Sequence, residues 1–184
     1  MGLFGPNIEK LKANQDAAGL TKLLESKKPD VRKDAAEALS QMGGSSALAG
    51  LLTALRDPDA RVRFYAVVGL AKMKQQESEE ALKAAVSDTD WEVRKEALTA
   101  LIKSGQNLNV LRQAIAFNSG ELRELAAVRL GEIEDPEAIE ILIPALKDEE
   151  ELVRLRATNA LKKKLGNSKI SPEAAARIQE ALKP

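Results

Sequence analysis

The chain has 184 residues, 28 of them basic and 28 acidic, with neither Cys nor His and only 3% aromatic residues. Those absences exclude a disulfide framework, a zinc site of the usual ligands, a thiol nucleophile and imidazole acid–base chemistry. A formal net charge of zero argues against a general binder of nucleic acid or acidic membrane, and abundant Ala, Leu, Glu and Lys favour helix throughout.

In chain order, the first ten residues, MGLFGPNIEK, lack the basic flank and long apolar core of a signal peptide. Gly2 suits N-myristoylation, but Pro6 stands where that motif wants Ser or Thr. Asn7 is placed to cap a short amphipathic helix over 7–13, with Ile8 and Leu11 on one face. Asp16 caps the next helix, which carries Leu20, Leu23 and Leu24. Pro29 breaks that helix and suits the first turn of another over 31–42, which Gly43 and Gly44 close in a left-handed cap.

The unit of helix, break and helix then recurs. Helices over 47–56 and 60–73 are parted by Asp57-Pro58-Asp59, and those over 78–86 and 91–103 by Ser87-Asp88-Thr89-Asp90. Helices over 108–117 and 121–133 are parted by Asn118-Ser119-Gly120. The fifth pair covers 136–147 and 151–165, and Pro144 predicts a kink in its first member. After Gly166-Asn167-Ser168, a Ser171 cap and Pro172 at the first helical position start one last helix to about Leu182. The uncharged run 38–55 is interrupted by Gln41, Gly43, Gly44, Ser45 and Ser46, so it is no membrane span. The expected compartment is the cytoplasm, and no linker is long enough to separate domains.

One skeleton organises all of this: an apolar residue followed by Arg, Ala four places on and Leu eight places on. It starts at Val31, Val62, Val93, Leu122 and Val153, in steps of 31, 31, 29 and 31 residues. Apolar columns also run seven and eleven residues upstream of each start. Self-similarity at a fixed period of this length is the mark of a stacked repeat protein, in which each pair buries its stripe only against its neighbours. The expected fold is all-α, a right-handed α-solenoid of about five helix pairs. The predicted repeats are 16–43, 46–74, 78–104, 108–134 and 136–166, with capping helices over 7–13 and 172–183.

The unit D-x-D-x-x-V-R-x-x-A-x-x-A-L resembles the short HEAT repeat, in the variant named after phycobilisome lyases. The resemblance covers residues 16–165, and the fourth copy departs from it with Asn118, Ser119 and Gly120 in place of acidic residues. It implies that the column Arg32, Arg63, Arg94, Arg123 and Arg154 pairs with acidic residues at neighbouring junctions, the candidates being Asp57, Asp59, Asp88, Asp90, Asp148 and Glu150. A ladder for phosphate or carboxylate partners is the alternative for that column. Asp59 and Asp90 sit where N-caps belong. The acidic run 148–151 and the basic run 162–164 read as solvated faces or dipole partners.

At 100° per residue, positions 0, +4, +7 and +8 of each second helix form the buried stripe, and +2, +3, +6 and +10 point away from it. The resemblance implies that the second helices line a concave surface, so those outward positions face a partner. The second copy supplies Phe64, Tyr65 and Val68 there, Trp91 starts the matching helix of the next copy, and Lys95 follows it. Leu125, Val128 and Leu155 extend the apolar surface. The rings either anchor another protein or pack between repeats.

The expected function is therefore a non-catalytic scaffold that binds a protein or peptide on the concave face. No catalytic residue, cofactor, metal, nucleic acid or membrane is involved, and the chain is a monomer or weak dimer. The alternative is an accessory role in bilin chromophore attachment, implied by the resemblance alone. Two HEAT-like enzyme classes fit poorly. Deoxyhypusine hydroxylases need His-Glu metal ligands that this chain lacks, and alkylpurine DNA glycosylases use a basic cleft of which Trp91 with Asp88 or Asp90 is a faint echo.

Overall fold

Residues four apart on a helix lie one above the other, so the Val, Ala and Leu of each copy face one way and must be covered together. In the computed structural model, which describes residues 5–73, 75–105, 107–166 and 170–183, they are core: Val62, Ala66 and Leu70, for example, are wholly buried. Among the described residues there is no strand, and the chain forms twelve α-helices. They are α1 (Gly5–Ala13), α2 (Ala17–Leu23), α3 (Pro29–Met42), α4 (Gly44–Ala54), α5 (Ala60–Leu70) and α6 (Gln76–Ala85). Then come α7 (Trp91–Ser104), α8 (Leu108–Ile115), α9 (Gly120–Glu132), α10 (Glu137–Leu142), α11 (Glu151–Leu165) and α12 (Pro172–Ala181). Two compact units result, one ending at Leu101 and the other beginning at Ile102.

In the first unit α2 packs on α3 and α4 on α5, while α3 lies along α5 and α2 along α4. The α3–α5 contact is the more extensive of the two rows. Gly69 permits it: a Cβ at that position would stand 3.0 Å from the Ser40 Cα and 2.7 Å from a Leu51 methyl. Helix α1 packs on α2 and α3, where Ile8 is buried and keeps the first pair from presenting its stripe to water. In the second unit α8 pairs with α9, and α9 lies along α11 more extensively than α8 along α10. Gly131 makes the same allowance, its missing Cβ lying 2.8 Å from that of Ala160. Helix α12 closes this unit against α11.

Caps fall where short polar side chains stand. Asp16 accepts from the Gly19 N–H at 2.8 Å, Asp59 from Arg61 at 2.9 Å, Asp90 from Glu92 at 3.0 Å, and Ser171 from Ala174 at 3.2 Å. Gly43 and Gly44 both take positive φ, 64° and 72°, which lets the chain turn at once from α3 into α4. Pro144 does more than kink its helix. Helix α10 stops at Leu142 and the chain runs on as a 3-10 segment, Ile143–Lys147, because proline has no N–H for the i−4 carbonyl and its ring crowds the preceding turn. Helix α1 begins two residues before Asn7, so Asn7 is inside it rather than at its cap. Its side chain lies outside the described residues, as do Gly2, Asn167 and Ser168.

Candidate functional site

The arginine column resolves into a repeated clasp. Arg32 Nε and Nη2 donate to the two oxygens of Asp57 at 2.7 and 3.0 Å. Arg63 does the same to Asp88 at 2.8 and 2.8 Å, and Arg123 to Asp148 at 2.8 and 3.0 Å. Each aspartate lies 25 residues after its arginine, at the turn of the next pair. The third guanidinium nitrogen, Nη1, donates to the carbonyl six residues back: Ser26, Asp57 and Phe117 respectively. A planar guanidinium thus ties its own turn to the following one, using geometry that only Arg supplies.

The aspartates close the loop. Asp57, Asp88 and Asp148 each accept the N–H two residues on, at 2.8, 2.8 and 2.9 Å. The Arg63 hydrogen bonds hold the Asp88 carboxyl below the usual carboxylate range. Burial pushes the Asp148 carboxyl up, but hydrogen bonds from Arg123 and the Glu150 N–H more than offset it, and it too ends below that range. Of the acidic candidates, Asp59 instead pairs with Arg61, Asp90 caps α7, and Glu149 rather than Glu150 adds to the Arg123 clasp.

A second set of ties could not be read from the skeleton. Lys72 Nζ donates to the Ser40 carbonyl at 3.0 Å, and Lys164 Nζ to the Ile133 carbonyl, so a lysine ending one second helix satisfies the carboxyl end of the one before. Burial, with Lys163 adjacent, pushes the Lys164 ammonium below its ordinary pKa. It lines a cavity of about 550 Å³ whose apolar walls include Ile133, Ile139 and Ala174. Among the described residues, no group of three acidic side chains is arranged to hold a metal ion.

The outward positions of the second helices are half-exposed or exposed in every copy. Phe64 and Tyr65 meet edge to face, with ring centroids 5.7 Å apart, and the Lys33 ammonium lies 5.8 Å from the Tyr65 ring. Trp91 is 49% exposed, and its ring carries the Lys95 ammonium at 5.8 Å. Tyr65 and Trp91 thus each carry a lysine ammonium near the ring. Val68 and Leu125 are half-buried, while Val128 and Leu155 are 39% and 48% exposed. Among the described residues, Leu152 at 55% is the most exposed large apolar side chain, and it lies outside the outward positions predicted from the sequence. A signal existed: the residue before the Val column is Asp30, Arg61, Glu92 and Glu121 in the other copies.

Charges on these faces are largely paired with one another. Lys33 sits 2.7 Å from Asp34 and 3.5 Å from Glu37, Arg156 reaches Glu124 at 2.8 Å, and Arg129 reaches Glu132 at 3.0 Å. What such a face offers a partner is apolar and aromatic surface within a neutral rim.

Stacked helix pairs with a tight row of second helices define an α-solenoid. The family model for HEAT repeats matches residues 9–63, 48–120 and 108–184, and the chain belongs to that family. No curated protein matches it. Among solved structures, an engineered protein is 25% identical, with a TM-score of 0.54 over 95% of this chain, and this chain spans 54% of its length. A designed armadillo repeat protein in complex with the peptide (KR)4 is 20% identical, with a TM-score of 0.56 over 85% of each chain. A chain of the S. pombe condensin Cnd3-Cnd2 subcomplex is 18% identical, with a TM-score of 0.67 over 95% of this chain and 29% of its own. These likenesses bear on the fold, which is armadillo/HEAT-like and wholly helical.

Proposed function

We propose that this chain is a non-catalytic scaffold that binds a protein or peptide along the outward positions of its second helices. The observation that carries this reading is Trp91, 49% exposed at the start of a second helix, one repeat after the Phe64–Tyr65 pair in sequence. Exposed aromatic rings in such a setting supply anchoring area at low conformational cost. In this reading the second-helix row, where α3 meets α5 and α9 meets α11 over the more extensive contact, is the side on which an extended partner is held. Phe64, Tyr65, Val68, Trp91 and Lys95 form the anchor in the first unit, and Leu125, Val128 and Leu155 form it in the second.

The finer assignments rest on motif and composition: the phycobilisome-lyase variety of HEAT repeat, a monomer or weak dimer, and residence in the cytoplasm. No helix among the described residues is long and apolar enough to cross a membrane. The test is affinity capture from the source lysate with wild-type chain and with a Phe64→Ala, Tyr65→Ala, Trp91→Ala variant. A specific protein retained by the wild type and lost by the equally stable variant supports the reading. Equal capture by both overturns the assignment of these residues.

A further inference from the structure

The clasp that joins successive pairs ends in an arginine with the same posture and a different fate. Arg154 Nη1 donates to the carbonyl six residues back, Asp148, at 2.7 Å, and to the Glu149 carbonyl at 2.8 Å. That is the anchor used by Arg32, Arg63 and Arg123. In those three, the Nε–Nη2 edge grips the aspartate 25 residues on. The residue 25 after Arg154 is Gln179, an exposed position on α12, and no described residue accepts from Arg154 Nε or Nη2. Of the carboxylates at its own turn, Asp148 and Glu149 are both directed to Arg123. Among the described residues neither Glu150 nor Glu151, four and three residues before Arg154, forms an ion pair with it.

We infer that Arg154 is a preset receptor for a carboxylate, and that its ligand is an aspartate or glutamate side chain of a protein partner. Two carbonyls fix the guanidinium plane, and Arg154 is half-buried, so little conformational freedom remains to be lost on binding. The same fork closes on a carboxylate three times within this chain, which identifies the chemistry without appeal to any other protein. A second copy stacked end to end is the wrong occupant. The position that the clasp would grip in its first pair is Ser26, followed by Lys27 and Lys28, so a neutral residue and two cations would meet Arg154. This contact is separate from the apolar face described above and stands or falls without it.

The test follows the Arg Nε–H resonances of the full-length, nitrogen-15-labelled chain by NMR at constant ionic strength set with chloride. The probes are acetate, the capped tripeptide acetyl-Asp-Pro-Asp-amide, which copies the turn at residues 57–59, and its Asn-Pro-Asn counterpart. An Arg154→Lys variant identifies the Arg154 resonance, and triple-resonance assignment does so if that variant fails to fold. The Arg154 signal is expected to move saturably with acetate and with the acidic peptide, and to stay still with the amide peptide. The Arg32, Arg63 and Arg123 signals, already engaged, are expected not to move. An Arg154 signal that is unmoved, moves equally with the amide peptide, or moves no more than the other three overturns the inference.

Discussion

Arg63 and Asp88 share two hydrogen bonds of 2.8 Å, and the Asp88 oxygen that receives Nη2 also receives the Asp90 N–H at 2.8 Å. One carboxylate therefore shapes its own turn and holds the preceding pair to it. Because both side chains are only 12% exposed, removing one leaves the other's charge with little water to compensate it. Asp88→Ala is expected to lower unfolding stability by about 3 kcal/mol. Arg63→Lys, which keeps charge but loses the fork, should cost less, about 1–2 kcal/mol. Urea denaturation followed by circular dichroism measures both, and an Asp88→Ala loss under 0.5 kcal/mol would remove the clasp from any account of stability.

Acid should loosen the stack. Asp88 and Asp148 have folded-state pKa values below the ordinary range, so the native chain binds fewer protons than the unfolded chain as pH falls. Their contribution is whole above the unfolded carboxyl pKa of about 4 and is lost progressively as pH drops through that value and below. With no histidine in the chain, the urea midpoint should change little between pH 6 and 8 and fall steeply under pH 4. An Asp88→Asn, Asp148→Asn double variant, less stable at neutrality, should show a shallower acid slope. An unchanged slope would mean that other carboxylates carry the linkage.

Gly69→Ala tests the close approach of α3 and α5. Helix propensity alone favours alanine by about 1 kcal/mol. The added methyl, however, would meet backbone at Ser40 Cα, 3.0 Å away, besides a Leu51 methyl at 2.7 Å. Overpacking of that kind typically costs about 1–3 kcal/mol, so the net expectation is a destabilisation of about 1 kcal/mol. A stabilised variant in thermal unfolding would show that the helices are freer to part than this packing implies.

Trp91→Ala and Tyr65→Ala separate binding from folding. As surface anchors each should weaken partner binding by about 2 kcal/mol, roughly thirtyfold in Kd, with little change in Tm. A fall in Tm with unchanged affinity, read by calorimetry once the partner is captured, would place the rings in service of packing.

The number and order of the helices were legible because periodic burial leaves a periodic mark. Val31, Val62, Val93, Leu122 and Val153 are all core, and each owes its place to a pattern one helix long. Caps were legible for the same reason, since Asp16, Asp59, Asp90 and Ser171 act within three residues of themselves. Pro144 was legible as a disturbance but not as a change of helix type, which depends on how the freed carbonyls are taken up. Leu152 was not legible from helical periodicity, because it lies outside the +2, +3, +6 and +10 positions and differs from the other copies only in residue type.

By itself, then, the sequence determined a stack of helix pairs and the residue types at each junction, because local propensity and a repeating apolar stripe are encoded within about thirty residues. Only tertiary structure decided which acid meets which arginine, that Lys72 and Lys164 end their helices on a neighbour's carbonyl, and that Arg154 keeps the anchor while no described residue meets its fork. Those outcomes turn on where side-chain tips some 25 to 32 residues apart arrive in space, and periodicity fixes only the faces from which they depart.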